Sequence, residues 1–298
     1  MSALAGARTP AQGVGETPPV DRQRRLRRQL RRYWLAVLGA ILVVAWIVIA
    51  ILSPYIAPYP YEQIDLTQRL LPPSAEHWLG TDMLGRDVFS RLLVGSRISL
   101  LAGFSVVLIG AVVGTLIGGI AAYAGGRIEE LMMRLTDLVL CFPPIILAMA
   151  IAAALGIGAT NTVIAMLVVW WPKFARLARS LVIVQRNQEY VEAAVNIGYG
   201  PGRILLRHIM PNSMGPMVVL VTLDVGQAIL TFSGLSFLGL GVIPPVPEWG
   251  AMVAEGRELI QQWWVAAFPG FAILTVVMGF NFLGDGVRDW LDPRSRTR

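Results

Sequence analysis

One lysine, one cysteine and two histidines stand among 298 residues, and only 15% of the chain is charged. Each scarcity excludes something. The lone Lys173 is followed by Phe174, so no glycine-rich loop ending in Gly-Lys-Ser/Thr is present to cradle nucleotide phosphates. The chain is therefore not itself an ATPase of that type. The lone Cys141 rules out an internal disulfide and a thiolate metal site, and reads as a small apolar packing residue. His77 and His208 lie far apart without ligand spacing around either, so no metal site is expected. No nucleophile–base constellation stands out, so no catalytic residue is assigned. Soluble domains carry roughly 25% charged residues. With 55% hydrophobic residues and a mean hydropathy of +0.61, this chain is a polytopic membrane protein.

What charge there is has a pattern. The pI is near 10, which fits nucleic-acid binding, but the arginines cluster at the edges of apolar runs. Seven arginines lie between Arg22 and Arg32, just before an apolar run from Trp34 to Leu52. A basic stretch there attracts anionic headgroups and holds its end in the cytoplasm. The apolar run is long enough to cross a bilayer, too long for a signal-peptide core, and lacks a small-residue cleavage site. Residues 1 to 20, rich in Ala, Gly, Pro and Thr, are expected to be disordered.

Further spans are expected at about Ser99–Tyr123, Leu138–Leu155, Thr162–Leu177, Met214–Leu235 and Trp264–Phe282. The fold class is therefore all-α, with six transmembrane helices. Pro54, Pro58, Pro60, Pro72 and Pro73 preclude a continuous helix between the first two spans. Asp87 or Ser90 is expected to start an interfacial helix leading into the second. Asp82 and Asp87 are too few, and too poorly spaced, for a calcium loop. Gly110, Gly114 and Gly118 recur every four residues and predict one smooth helix face for close packing. A short polar link follows, and Pro143–Pro144 is expected to kink the third span. Six spans place both termini on one side. Basic residues number 20 in the segments then assigned to the inside and 5 in those assigned to the outside, which puts the termini in the cytoplasm. Glu248 and Glu255 fall outside, either to contact a partner or as solvated charges.

Two features carry function. Asp224 lies in the fifth span, where a carboxylate costs about 2.5–3.5 kcal/mol and must face the bundle interior or water. Two readings stay open. Asp224 lines a pathway, near the amino group of a peptide and with Gln227 and Asn281 as further candidates, or it is a buried partner for Gln227, Asn281 or a neighbouring subunit. The second feature is Glu189–Pro211, polar and basic between two apolar spans. Glu189, Glu192, Ala193 and Ala194 favour helix, and Gly198, Gly200, Pro201 and Gly202 break it. Arg203–Met210 is expected to form a second short helix with Ile204, Leu205, His208 and Ile209 on one side, and Pro211 to end it or open the next.

This stretch resembles the EAA loop of ABC importer permeases: Glu-Ala-Ala, three residues, Gly, nine residues, Ile, one residue, Leu-Pro. Glu192, Ala193, Ala194, Gly198 and Pro211 fall on the pattern, while His208 replaces the Ile and Met210 the Leu. Ile209 beside His208 implies an apolar docking face that is shifted rather than lost. An ordinary amphipathic loop is the alternative. HWLGTDMLGRDVFSR from His77, LSFLGLGVIPPVPEWG from Leu235 and LGDGVRDWLDPR from Leu283 are similar to signatures of the dipeptide/oligopeptide/nickel permease family, C-type subunit.

The resemblance implies a type I ABC importer permease fold in a bacterial inner membrane. Residues 1–33 would be a cytoplasmic tail, 34–97 a first helix and extracytoplasmic segment, and 98–298 the permease domain with its coupling loop at 189–211. It implies a second homologous permease, two ATPase subunits and an extracytoplasmic solute-binding protein as partners, with no nucleic acid. No cofactor is expected on this chain; ATP and Mg would sit on the ATPases. The substrate class is di/oligopeptide, with glutathione or nickel as alternatives inside the family. The alternatives outside it are an ion-gradient-driven secondary transporter and a membrane-anchored structural or signalling protein.

Overall fold

The structure is a computed structural model that describes residues 22–291, with side chains from Trp34 onward. The expected disorder of residues 1–20 and the last residues of the chain lie outside that range. The chain divides into a unit at Met1–Trp34, whose described part is helix, and a unit from Leu35 onward that contains everything discussed below.

Ten α-helices account for the described architecture. They are α1 (Arg22–Ile56), α2 (Val88–Ala124), α3 (Gly126–Leu140), α4 (Pro144–Leu155), α5 (Ala159–Arg186), α6 (Glu189–Asn196), α7 (Pro201–Ile204), α8 (Met210–Phe237), α9 (Trp249–Gly256) and α10 (Trp264–Leu291). Four stretches are long and apolar enough to cross a membrane: Trp34–Ile56, Val88–Ala124, Pro201–Phe237 and Trp264–Leu291. The bent pair α3–α4 makes a fifth. The expected fourth span is α5, which is 28 residues long but carries Lys173, Arg176, Arg179 and Arg186 and does not meet the apolarity of the others. The chain is thus an all-helical, multi-pass membrane protein, and length and apolarity alone do not reach six spans.

Several local expectations are sharpened or corrected. Pro54 does not end α1, which continues to Ile56. Asp87 caps α2: its carboxylate accepts from the Ser90 backbone N–H and hydroxyl, both at 2.7 Å. The interfacial helix and the second span are one helix of 37 residues, about 55 Å long, so its first turns stand clear of a hydrocarbon core of about 30 Å. The polar link before the third span is itself helical, as α3. The break at Cys141–Pro143 turns the chain by 89°, far more than a kink, because Pro143 and Pro144 cannot donate to the preceding turn.

The core is built on α2, α5, α8 and α10. The glycine face of α2 lies on α5, where Gly114 and Gly118 meet the backbone of Trp171 and Ala175. Phe174 and Met166 of α5 and Ile229 and Phe232 of α8 are fully buried in the same cluster. Short α9 packs at the end of the bundle where α2 begins. Trp249 is fully buried, donates from Nε1 to the Leu92 carbonyl at 3.0 Å and meets Trp46 edge-on at 4.9 Å.

Candidate functional site

The stretch 189–211 folds as a mounted tip. Helix α6 ends in a Schellman motif: the Gly198 N–H bonds the Val195 carbonyl at 2.9 Å and the Tyr199 N–H bonds the Ala194 carbonyl at 3.2 Å. This motif needs a left-handed residue after the cap, and Gly198 supplies it with φ +90°. No atom lies within 4 Å of where a Cβ would be, so the requirement is purely conformational. Pro201 then opens α7, where its missing N–H costs nothing.

The expected second short helix is not separate. From Pro201 the chain stays helical through a π turn at Leu205–Ile209 into α8, and Pro211 stands in the first turn of α8, opening it as one of the two expected outcomes. In the π turn the Met210 N–H donates to the Leu205 carbonyl, just before a proline that has no N–H to donate. The tip is therefore rigidly continuous with a 37-residue stretch that reaches Phe237.

Its two faces differ. Val191, Ala194, Ile204, Leu205 and Ile209 form a small core with Ala122 of α2 and Val182 of α5. Ile209 is 0% exposed, so the expectation that it belongs to a docking face is corrected: it is part of the mount, as is Ala194. Glu192, Ala193, Val195, Ile197, Leu206 and Pro211 face outward, with Ile197 at 72% exposure. The Glu192 carboxylate has no ion-pair or hydrogen-bond partner among the described residues. His208 stacks on Tyr199 at 5.6 Å, and the Arg203 guanidinium lies 4.3 Å over the Tyr199 ring. These rings clamp the turn to the start of the following helix, which gives His208 a positioning part that spacing did not reveal.

The second candidate centre is Asp224 on α8. Neither Gln227 nor Asn281 bonds to it; both are exposed. Its partner is Lys173 of α5, whose Nζ pairs with Oδ2 and lies 4.0 Å over the Trp170 ring. The proposed partners of the sequence reading are thus replaced by the single lysine. Two opposite charges within apolar runs were the available signal, because each must find the other or water. The outward arginines of α5 are also paired: Arg176 with Asp137 and Arg179 with Glu129 of α3, both at 2.6 Å.

At the opposite end of α2, Glu248 and Glu255, expected either to contact a partner or to be solvated charges, are held inside this chain. Glu248 is 0% exposed: Oε1 accepts from the Ser99 and Ser233 hydroxyls at 3.0 Å each, and Oε2 caps α9 through the Ala251 N–H at 3.0 Å. Glu255 pairs with Arg91 at 2.6 Å and Arg86 at 3.1 Å, and both arginines also pair with buried Asp82. Two arginines and two carboxylates thus neutralise one another and tie the segment before α2 to α9. His77 contacts Asp87 through Nδ1 at 2.9 Å and Gln68 through Nε2 at 2.7 Å. No group of side chains suited to hold a metal occurs among the described residues.

Residues 114–297 match the family described as binding-protein-dependent transport system inner membrane component, and residues 23–73 match the N-terminal TM domain of oligopeptide transport permease C. The chain is 47% identical over 262 residues to a probable D,D-dipeptide transport system permease protein of Escherichia coli, covering 88% of each chain. It is 46% identical over 271 residues to a dipeptide transport system permease protein of Alkalihalophilus pseudofirmus, covering 91% of this chain and 89% of that one. It is 42% identical over 290 residues to a glutathione transport system permease protein of Pectobacterium atrosepticum, covering 94% and 96%.

Proposed function

This chain belongs to the family of inner membrane components of binding-protein-dependent transport systems, and from that premise we propose how it works. It is a non-enzymatic transport subunit, a peptide-type ABC importer permease. In our reading it forms half of the membrane pathway for di/oligopeptides handed over by an external binding protein. A second homologous permease supplies the other half, and two ATPase subunits on the cytoplasmic side bind ATP and Mg. Helix α5 serves as a span despite its charges, which completes six spans with both termini in the cytoplasm.

The observation that carries the proposal is the division of residues 189–211 into a buried mount and an exposed tip. A displacement of the tip by an ATPase is transmitted without loss only if the tip cannot pivot. The Schellman turn at Gly198, the Tyr199–His208 stack and the unbroken run into α8 remove the pivots. The Glu192 carboxylate, without a partner among the described residues, and exposed Ile197 and Leu206 are the surface offered to the ATPase. ATP binding draws the tips of the two permeases together, and α8 carries that movement past Asp224 to the outer end.

Asp224 and Lys173 serve this pathway as a matched pair of charges, able to exchange their mutual contact for the ammonium and carboxylate of a peptide. Gln227 and Asn281, both exposed on spans, are further lining candidates. The relatives named for dipeptide and for glutathione support a short peptide as cargo, with glutathione as the second reading. A secondary transporter is disfavoured, because a single neutralised ion pair is a poor ion relay.

The test uses the reconstituted complex with and without loaded binding protein. Gly198→Val and Glu192→Lys are expected to insert and to retain the ATPase, yet to lose stimulation of ATP hydrolysis. Undiminished stimulation in both variants would reduce this stretch to a linker.

A further inference from the structure

The basic residues near the outer end of the bundle are mostly neutralised. Arg86 and Arg91 have carboxylates, and Arg257 has Glu258 at 3.2 Å. The Arg69 and Arg97 side chains do not: both are exposed with no ion-pair or hydrogen-bond partner among the described residues, and only Arg97 stands on a long helix, α2. Arg97 also sits at a junction of two cavities. Below it, an apolar groove of about 380 Å³ runs between α1 and α2, floored by Ile47, Ile51, Leu101 and Phe104. Above it, a cavity of about 520 Å³ is bounded by the Pro54–Pro60 stretch, Tyr61 and Glu62. Arg97 lines both.

Leu101, one helical turn after Arg97, is 63% exposed and forms a ridge. On its other flank lies a second apolar groove of about 330 Å³, against Val163 and Ile164 of α5. A cation above one ridge with an apolar groove on each side has the layout of a two-chain amphiphile. A transported peptide has no use for two apolar grooves on a lateral face of the bundle. A soluble anion would gain nothing from them.

We propose that this is a binding site for a phospholipid, with its phosphodiester on Arg97 and one acyl chain on each side of Leu101. Glu62, which lines the cavity above and is hydrogen-bonded with Tyr61, offers a carboxylate to a primary ammonium, so the lipid is phosphatidylethanolamine. The guanidinium donates to the phosphate in a forked geometry that a hydrated ammonium on a lipid-facing helix would not match. The lipid bridges α1 to α2 where the two helices leave the membrane. The proposal rests on the chain spanning a membrane and not on which cargo it carries.

The experiment is native mass spectrometry of the full chain in detergent, incubated with equimolar phosphatidylethanolamine, phosphatidylglycerol and phosphatidylcholine. One phosphatidylethanolamine is expected to remain bound through detergent washing. Arg97→Gln is expected to weaken retention about tenfold or more, the loss of a hydrogen bond to a charged group. Ile51→Trp, which fills the first groove at a lipid-facing position, is expected to abolish it. Glu62→Gln is expected to erase the preference over phosphatidylcholine while leaving binding. Equal retention by wild type and Arg97→Gln, or equal retention of phosphatidylglycerol, overturns the assignment. In the assembled complex, a photo-reactive leucine at position 101 is expected to cross-link lipid. Cross-linking to a partner protein there overturns it too, since the grooves would then be a protein interface. Loss of ATPase stimulation bears only on the transport reading, so the two can fail separately.

Discussion

Replacing the glycines of α2 by alanine, one at a time, should have strongly unequal effects. The three look alike in sequence. A Cβ at Gly110 would lie 3.4 Å from the Trp170 Cβ, an ordinary contact. At Gly114 it would lie 2.3 Å from the Trp171 carbonyl oxygen, and at Gly118 2.0 Å from the Ala175 carbonyl oxygen. The obstacles at the latter two are main-chain atoms of a helix, which cannot rotate away. Relieving Gly118→Ala requires α2 and α5 to part by the difference between 2.0 and 3.4 Å, about 1.4 Å. A radial gap of 0.5–1 Å already forfeits about a quarter to a half of each dispersion contact. Overpacking costs about 1–3 kcal/mol, and Gly118→Ala belongs at the top of that range, with Gly114→Ala just below. Gly110→Ala has no clash, and the better helix propensity of alanine offers up to about 1 kcal/mol. The order of stability is therefore Gly110→Ala at or above wild type, then Gly114→Ala, then Gly118→Ala. Reversible unfolding in mixed micelles, followed by the tryptophan signal, reads these differences as midpoint shifts. Equal midpoints for Gly110→Ala and Gly118→Ala would refute the claim that α2 and α5 touch backbone to side-chainless backbone.

Two further outcomes are expected. Lys173→Met leaves Asp224 without its partner and should destabilise the protein, by less than the roughly 3–5 kcal/mol of a fully buried pair because the lysine side chain is 31% exposed; Lys173→Met with Asp224→Leu should recover stability in the same unfolding assay but not transport. Glu248→Ala removes a helix cap worth about 0.5–2 kcal/mol and strands two serine hydroxyls, at about 1–3 kcal/mol each, so it should unfold well before Glu258→Ala, which alters only an exposed side chain; Glu248→Gln, which retains an acceptor, should recover part of the loss.

Much about this chain was legible as a string, and for a physical reason. Membrane crossing depends on run length and mean apolarity, which are one-dimensional, so the lengths around Trp34, Ser99, Met214 and Trp264 needed no coordinates. Helix punctuation is local as well: Gly198 and Pro201 lie within a turn of the hydrogen bonds they decide, and Asp87 caps a helix that begins at the next residue. Charge pairing is not local. Glu248 is held by Ser99, 149 residues away, and Glu255 by Arg91, 164 residues away. The string therefore left both carboxylates open between partner contacts and solvated charges. Asp224 was recognisable as costly in apolar surroundings, but which of several polar groups answered it was decided by the α5–α8 contact, which brought Lys173 in place of Gln227 or Asn281. Ile209 shows the same limit from the apolar side. Its helical spacing put it on one face with Ile204 and Leu205, and only the placement of Ala122 and Val182 turned that face inward. A period of 3.6 residues defines a face; tertiary packing decides what covers it.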